Sequence, residues 1–362
     1  MTYAGMIPLI PPPSIDRIYL ISFSLSFSLE KHFHFLIQIN MVNCRVMVKK
    51  EYQECRLCPN MCRVDRSKSF GVCHQSDKVK IAWAGLHRGE EPPITGRYGS
   101  GMIFFTGCPL HCAYCQNIQI SGADGENYGI EVSIEDLADI MLENQKMKAT
   151  TLNLVTGTHF IPSIIDALEI AKSKGFSLPV VWNSSGYESI EGLSLIDKYI
   201  DVYLLDCKTI KRNVASVFCG RKAYAESIIP VMDYIKERHP STDLDKLKGT
   251  VLRHLVFPGT LNATKDFLRL FAERYKDAFT LSLMVQFVPP KENPGFKAIT
   301  EAEYDELVEL LEELDIDDGF MQEMGENEIL WIPDFHQDVP FPPSFADANE
   351  YFLELKRRRE GE

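Results

Sequence analysis

The stretch Met102-Ile103-Phe104-Phe105-Thr106-Gly107-Cys108-Pro109-Leu110-His111-Cys112-Ala113-Tyr114-Cys115-Gln116-Asn117 joins a short β-rich run to a loop holding three cysteines, spaced C-x3-C-x2-C. The run Met102–Phe105 is apolar and reads as a buried strand. Three thiolates this close on one loop can converge on one compact inorganic centre. A four-iron cube normally takes four thiolates, so three leave one iron open to a small molecule. On the residues alone the alternative is a three-thiolate zinc site completed by His111.

Outward from this loop the chain keeps a βα rhythm. Further β-rich runs lie at Thr151–Val155, Pro179–Trp182, Asp201–Leu205, Thr250–Phe257 and Leu281–Phe287, with helical patterns between them. Ser133 is a predicted N-cap ahead of Ile134, Leu137, Ala138 and Met141. Ser163 is predicted to cap a second helix that stops at Gly175. Thr300 and Glu303 form a predicted capping box. Continuous apolar strands are those of a parallel sheet covered by helices. Six such units predict an α/β fold, a partial (βα)6 TIM-like barrel, with chemistry at the C-terminal ends of its strands.

The loop resembles the signature of the radical S-adenosylmethionine (SAM) superfamily, C-x3-C-x-aromatic-C after the first barrel strand. Within it, Gly107 to Ser121 is similar to the pyruvate formate-lyase activating enzyme branch. The resemblance implies a [4Fe-4S] cluster held by Cys108, Cys112 and Cys115, with SAM on the open iron. It implies reductive cleavage of SAM to a 5′-deoxyadenosyl radical that takes a hydrogen atom from a substrate. It also implies a low-potential electron donor of the flavodoxin or ferredoxin kind and a glycyl radical enzyme as partner. Tyr114, Gln116 and Asn117 fall inside the matching loop.

The same resemblance places SAM contacts at successive strand ends. Val155-Thr156-Gly157-Thr158-His159 stands where the superfamily usually has a Gly-Gly-Glu-Pro-like turn, so that contact falls to Thr156, Thr158 or backbone carbonyls. Asn183 and Ser185 sit in a turn similar to the activases' Thr-Asn-Gly. Asp206-Cys207-Lys208 is similar to their Asp-x-Lys. Alternation puts Asp206 and Lys208 on one face and Cys207 on the other. A carboxylate suits a ribose hydroxyl and an ammonium suits the SAM carboxylate. Arg253, in Arg253-His254-Leu255-Val256-Phe257-Pro258-Gly259, would approach SAM, with His254 structural. Strand six, Gln286-Phe287-Val288-Pro289-Pro290, lacks the histidine that the characterised activases place near its end.

A second cluster, Cys55-x2-Cys58-Pro59-x2-Cys62 and then Cys73, provides four thiolates, enough for a tetrahedral zinc or for every iron of a second iron-sulfur cluster. Spacing does not choose between them. Cys44, Cys207 and Cys219 stand alone and read as buried, inert cysteines. Gly99-Ser100-Gly101 precedes the strand instead of following one, which argues against a phosphate loop. Glu90-Glu91-Pro92-Pro93-Ile94 reads as scaffold on the approach to the barrel.

Ten cysteines in 362 residues, seven of them in two tight clusters, favour metal sites over a disulfide framework. The apolar run from Ile18 to Leu29 is too short to span a bilayer and lacks the basic leader and cleavage site of a signal peptide. The expected location is therefore cytoplasmic, with no membrane partner. The net charge of −13 comes from residues 301–331, which hold 13 acids and no Lys or Arg. That block reads as a solvated helix face, with a docking surface for a basic protein as the sharper alternative. No basic stripe exists to track nucleic acid. The expected organisation is a poorly ordered or spurious extension over 1–46, with Met41 or Met47 as the functional start. A Cys-rich leader over 47–98, the barrel over 99–290 and an acidic helical extension over 291–362 follow, ending in a frayed tail from Leu355. Three functions stand: radical activation of a glycyl radical enzyme, radical modification of a small molecule or other peptide, and a zinc-stabilised binding protein without redox chemistry.

Overall fold

A computed structural model describes residues 50–122, 127–288, 299–325 and 332–360, within one unit spanning Val48–Glu362. The expectations for 1–46, Cys44, Pro289-Pro290, the acids beyond residue 325 and the last two residues lie outside the described residues. Among the described residues ten strands form one sheet: β1 (Lys80–His87), β2 (Ser100–Phe105), β3 (Ile130–Glu131), β4 (Leu152–Val155), β5 (Val180–Ser184), β6 (Val202–Asp206), β7 (Gly249–Leu255), β8 (Thr280–Met284), β9 (Gly319–Met321) and β10 (Ala346–Ala348). The order is β10-β1-β2-β4-β5-β6-β7-β8-β9, with β3 on β1. From β2 to β9 every pairing is parallel, whereas β1 meets β2, β3 and β10 antiparallel.

All six predicted strands are present in the predicted order, as β2, β4, β5, β6, β7 and β8. The fold is α/β with a mostly parallel sheet of the partial-barrel kind. Strands β2, β4, β5, β6 and β8 are buried along nearly their whole length, because helices cover one face and the barrel interior the other. The covering helices are α1 (Ile134–Lys146), α2 (Ile161–Ser173), α3 (Ile190–Ile196), α4 (Arg212–Phe218), α5 (Tyr224–Arg238), α6 (Leu261–Arg274), α7 (Glu301–Glu313) and α8 (Glu350–Glu360).

Side chains cap the starts of α1, α3 and α7. Ser133 Oγ accepts from Asp136 N at 3.0 Å, and Asp136 Oδ2 accepts from Ser133 N at 3.2 Å, a capping box. Thr300 and Glu303 repeat the device at α7. The expected cap at Ser163 is corrected: α2 starts at Ile161 because Pro162 fits the first turn, and Ser163 Oγ instead pairs with Tyr52 Oη at 2.8 Å. Gly175 follows the helix end with φ +93°.

The C-terminal extension is not simply helical. It adds β9 beside β8 and returns β10 to the opposite edge, on β1. The expected fraying from Leu355 is also corrected. Leu355 and Lys356 are buried in α8, and Lys356 Nζ reaches Asp338 Oδ1 at 3.1 Å.

Two features join the leader to the barrel. After β1 the chain runs down the inside of the sheet, where Ile94 packs on Val181, Val202, Leu204 and Val251. Arg66, fully buried, donates to the carbonyls of Gln75, Ser76 and His159, with its guanidinium 4.8 Å from the Tyr52 ring centroid. Arg66→Met leaves these three carbonyls buried without donors and is expected to cost about 3 kcal/mol. Urea denaturation would measure the loss, and limited proteolysis should cut first within residues 55–75. An unchanged midpoint would show that the leader docks without this guanidinium.

Candidate active site

The loop after β2 is shaped by its backbone. Gly107 has φ +91°, and a Cβ there would lie 2.6 Å from the Cys73 carbonyl oxygen, so only glycine fits. His111 also adopts a positive φ, of 59°, turning the chain between Cys108 and Cys112. Ala113 N donates to Phe218 O at 2.9 Å, and Cys115 N to Cys112 O at 3.2 Å. Leu110 N lies 3.5 Å from Cys108 Sγ as a donor to sulfur.

These turns bring the three thiols to the wall of one cavity of about 360 Å³. Burial pushes the thiols of Cys108 and Cys115 up to about 11 and about 12, with Cys112 raising both further and Lys208 opposing. Cys112 is raised too, by a hydrogen bond with Cys219 and by burial. Buried thiols of this kind give up their protons to a metal that coordinates them.

The strand ends supply the rest of the wall. Gln116, Asn117, Thr156, Asn183 and Ser185 line the cavity together with Tyr114, Asp206, Lys208 and Arg253. Lys208 Nζ donates to Asp206 Oδ2 at 3.0 Å and sits 5.6 Å from the Tyr114 ring centroid. Burial works against the ammonium charge, but Asp206 and the thiols around it keep it protonated. Asp206 Oδ1 is buried with no hydrogen-bond partner, so the wall offers a free acceptor. Cys207, expected to face away, is fully buried and also contributes to the wall.

One predicted contact falls elsewhere. Thr158 is buried outside the lining, and its hydroxyl donates to Glu188 Oε1 at 2.7 Å. Glu188 also accepts from Ser184 Oγ and Trp182 Nε1, which makes it a buried anchor for the ends of β4 and β5.

Glu90 and Glu91, scaffold by their sequence context, meet Arg253 inside the barrel. The guanidinium donates to Glu91 Oε1 and Oε2 at 2.7 and 2.6 Å and to Glu90 Oε2. Glu90 and its neighbour His87 line the cavity. No local pattern signals a pair 162 residues apart; the available hint was two acids beside Pro-Pro where β1 leaves the sheet. Burial pushes the Glu91 carboxyl up, and Arg253 more than offsets it, leaving it below the usual range.

His254 is structural, as expected: Nδ1 meets Cys207 O at 2.7 Å, Nε2 meets Thr264 Oγ1 at 3.0 Å, and the ring stacks on Phe267. Burial lowers it from 6.5 to about 4. The folded state therefore resists protonation, and this site's contribution to stability is lost as pH falls from 6.5 to about 4. Wild-type urea midpoints should drop more steeply over that window than those of His254→Gln; parallel slopes would refute it.

The leader thiols form a second group. A Cβ at Gly71 would lie 3.5 Å from both Cys62 Sγ and Cys73 Sγ, and Val72 N donates to Cys62 Sγ at 3.3 Å. Burial pushes Cys58 up to about 12, with the thiols of Cys73, Cys55 and Cys62 adding to the effect. None of the four is in a disulfide. Among the described residues no group of three or more His, Cys, Asp or Glu side chains is placed to hold a single metal ion. His111, the fourth ligand of the zinc alternative at the loop, has its ring 4.8 Å from that of His74. No helix among the described residues is long and apolar enough to cross a membrane.

Comparison with known proteins adds the following. An uncharacterized protein of Methanocaldococcus jannaschii is 28% identical over 290 residues, 78% of this chain and 81% of that one. The crystal structure of Streptococcus suis SuiB bound to S-adenosylmethionine is 11% identical, covering 60% of this chain and 48% of that chain, with a TM-score of 0.42. The chain spans about half the length of the SuiB structures. A radical SAM methyltransferase from Sphaerobacter thermophilus is 10% identical, covering 64% of this chain and 68% of that chain, with a TM-score of 0.45. A domain of pyruvate-formate lyase-activating enzyme from Bacteroides vulgatus is 12% identical, covering 45% of this chain and 91% of that chain, with a TM-score of 0.30. Residues 102–271 match the family model of the radical SAM superfamily, whose chemistry uses a [4Fe-4S] cluster and SAM. That match begins in β2, takes in the three-cysteine loop and ends in α6, so residues 102–271 carry a radical SAM domain.

Proposed function

We propose that Cys108, Cys112 and Cys115 hold the [4Fe-4S] cluster and that the cavity beside them holds SAM. The observation that carries this reading is three thiols of one loop, Cys112 buried and Cys108 and Cys115 half-buried, sharing a cavity wall with an unpartnered carboxylate oxygen and a charged lysine. When bound and reduced, the cluster supplies the electron that splits the SAM sulfonium and releases a 5′-deoxyadenosyl radical. Asp206 Oδ1 accepts from a ribose hydroxyl, and Lys208 neutralises the SAM carboxylate. Thr156, Asn183, Ser185, Gln116 and Asn117 supply the remaining polar contacts along the strand ends. Tyr114, packed edge-on against Phe257 at 4.7 Å, keeps the far side of the loop dry.

The substrate reading we favour is activation of a glycyl radical enzyme, supported by the Cys-Gln-Asn after Tyr114. The second is radical modification of a small molecule. It is favoured by Pro333 and Phe341, which bring the C-terminal segment into the cavity wall. A flavodoxin- or ferredoxin-like protein is the electron donor in either case.

Anaerobic reconstitution followed by dithionite and SAM tests the reading. The expected result is 5′-deoxyadenosine, together with an electron paramagnetic resonance signal that changes on adding SAM. A colourless, zinc-only protein would refute it. A stable glycyl doublet on a supplied partner enzyme would decide for the first substrate class, and its absence alongside turnover of a small molecule for the second.

A further inference from the structure

One stretch of the cavity wall carries charge that the SAM contacts above do not use. Among the described residues the lining holds two cations, Lys208 and Arg253. Lys208 is matched one for one by Asp206. Arg253 is not. Its single positive charge serves both Glu90 and Glu91, through Nη2 to each carboxylate and through Nε to Glu91 Oε1 at 2.7 Å. The side chains of Arg253, Glu90 and Glu91 are only 13, 7 and 7% exposed, so one net negative charge is held inside the barrel, away from bulk water. An enclosed charge without a counter-charge is costly, and such charges concentrate at functional sites.

Glu90 is where that excess meets the cavity. Glu91 uses both oxygens on Arg253, whereas Glu90 uses Oε2 alone, and among the described residues its Oε1 accepts no hydrogen bond. His87 Nδ1 stands 3.6 Å from that oxygen but has no proton to give. It accepts from Gly89 N at 3.2 Å, so the proton of the neutral ring sits on Nε2, which has no partner among the described residues. Burial holds His87 below 6.5 against the pull of Glu90, so the ring does not cancel the charge at pH 7. Phe104 and Phe341 adjoin this part of the wall, with ring centroids 5.7 Å apart, and the Phe341 and His87 rings pack edge-on at 4.6 Å. Aromatic faces beside a carboxylate favour a cation over a neutral group.

We infer that Glu90, with His87, Phe104 and Phe341, forms a subsite for the ammonium group of a small-molecule substrate. This rests on the reading of the loop as the SAM site and sharpens its small-molecule branch. Glu90 Oε1 accepts from the ammonium, the two phenyl rings pack against the carbons that carry it, and His87 Nε2 offers a donor to the same molecule. Side chains this enclosed are within reach of a small molecule and not of the surface of a folded partner.

Calorimetric titration of the anaerobically reconstituted protein, saturated with SAM at pH 7, tests the subsite with benzylamine against its neutral isostere benzyl alcohol. Benzylamine should bind at least about tenfold more tightly, the gain expected from one charged hydrogen bond. Glu90→Gln leaves Glu91 paired with Arg253, one charge against one, and should erase that preference while SAM still alters the paramagnetic signal of reduced samples. Equal binding of the two probes by the wild type, a comparison that needs no variant, would overturn the subsite. So would a Glu90→Gln protein that keeps the preference. If Glu90→Gln instead loses the response to SAM, the ammonium held by Glu90 is SAM's own and the substrate assignment falls. A wild type that prefers benzylamine but whose signal ignores SAM would overturn the loop reading and the substrate role with it, so the two failures are told apart.

Discussion

Replacing Cys112 by alanine is expected to abolish reductive cleavage of SAM. On the proposed reading the three loop thiols hold one cluster, so removing any one forfeits the acceleration as a whole, on the order of 10⁶-fold or more for enzymes generally. Cys112 is the most buried of the three. The loop around it is held by Ala113 N, which donates to Phe218 O at 2.9 Å. Among the described residues, Cys219 is a thiol hydrogen-bonded to Cys112 and fully buried. It allows a control: Cys219→Ala should retain the loop iron and SAM cleavage, whereas Cys112→Ala should lose both. Iron analysis and chromatographic detection of 5′-deoxyadenosine read the two outcomes. If Cys112→Ala still cleaves SAM, either Cys219 has become a ligand or the loop does not hold the cluster; the double variant separates these.

The sequence exposed what is local and left obscure what is long-range. Six parallel strands were legible because each is buried on both faces and so reads as an unbroken apolar run. The capping boxes at Ser133 and Thr300 were legible because donor and acceptor lie three residues apart. The antiparallel strand Lys80–His87 was hidden: Ala82, Ala84 and Gly85 have weak strand preference, and its outer partner, Ala346–Ala348, is only three residues long and lies far along the chain. The three-cysteine loop announced itself by spacing, and the structure adds what faces it. The Arg253 cluster was missed for the same reason as β1, since its charges come from separate segments. Thr158 was chosen for its place after a strand. The turn at Thr156, with φ +58°, and the short helix that follows direct its hydroxyl to Glu188 instead.

Arg253→Ala is expected to produce a large loss of stability, one that depends on pH. The guanidinium is enclosed with two carboxylates on the barrel's inner wall, and removing one side of such a cluster costs about 3–5 kcal/mol, because the remaining charges are stranded in a low-dielectric interior. In the wild type Glu91 is held below its usual 4.5, so its contribution is fully present above that value and is lost as pH falls through the folded-state pKa. In the variant the sign reverses. Burial alone then raises the Glu91 carboxyl, the protonated form suits the folded state, and stability falls as pH rises past 4.5. The deficit should therefore be greatest at neutral pH and shrink on acidification, in urea melts at pH 7 and pH 4. Adding Glu90→Gln and Glu91→Gln should recover part of the loss at pH 7 by removing the stranded charge. A deficit that does not vary with pH would mean that Arg253 works by filling space. A pH-dependent one would establish that the leader segment after β1 is held at the cavity by charge, which ties the shape of the cavity wall to residues outside the matched segment 102–271.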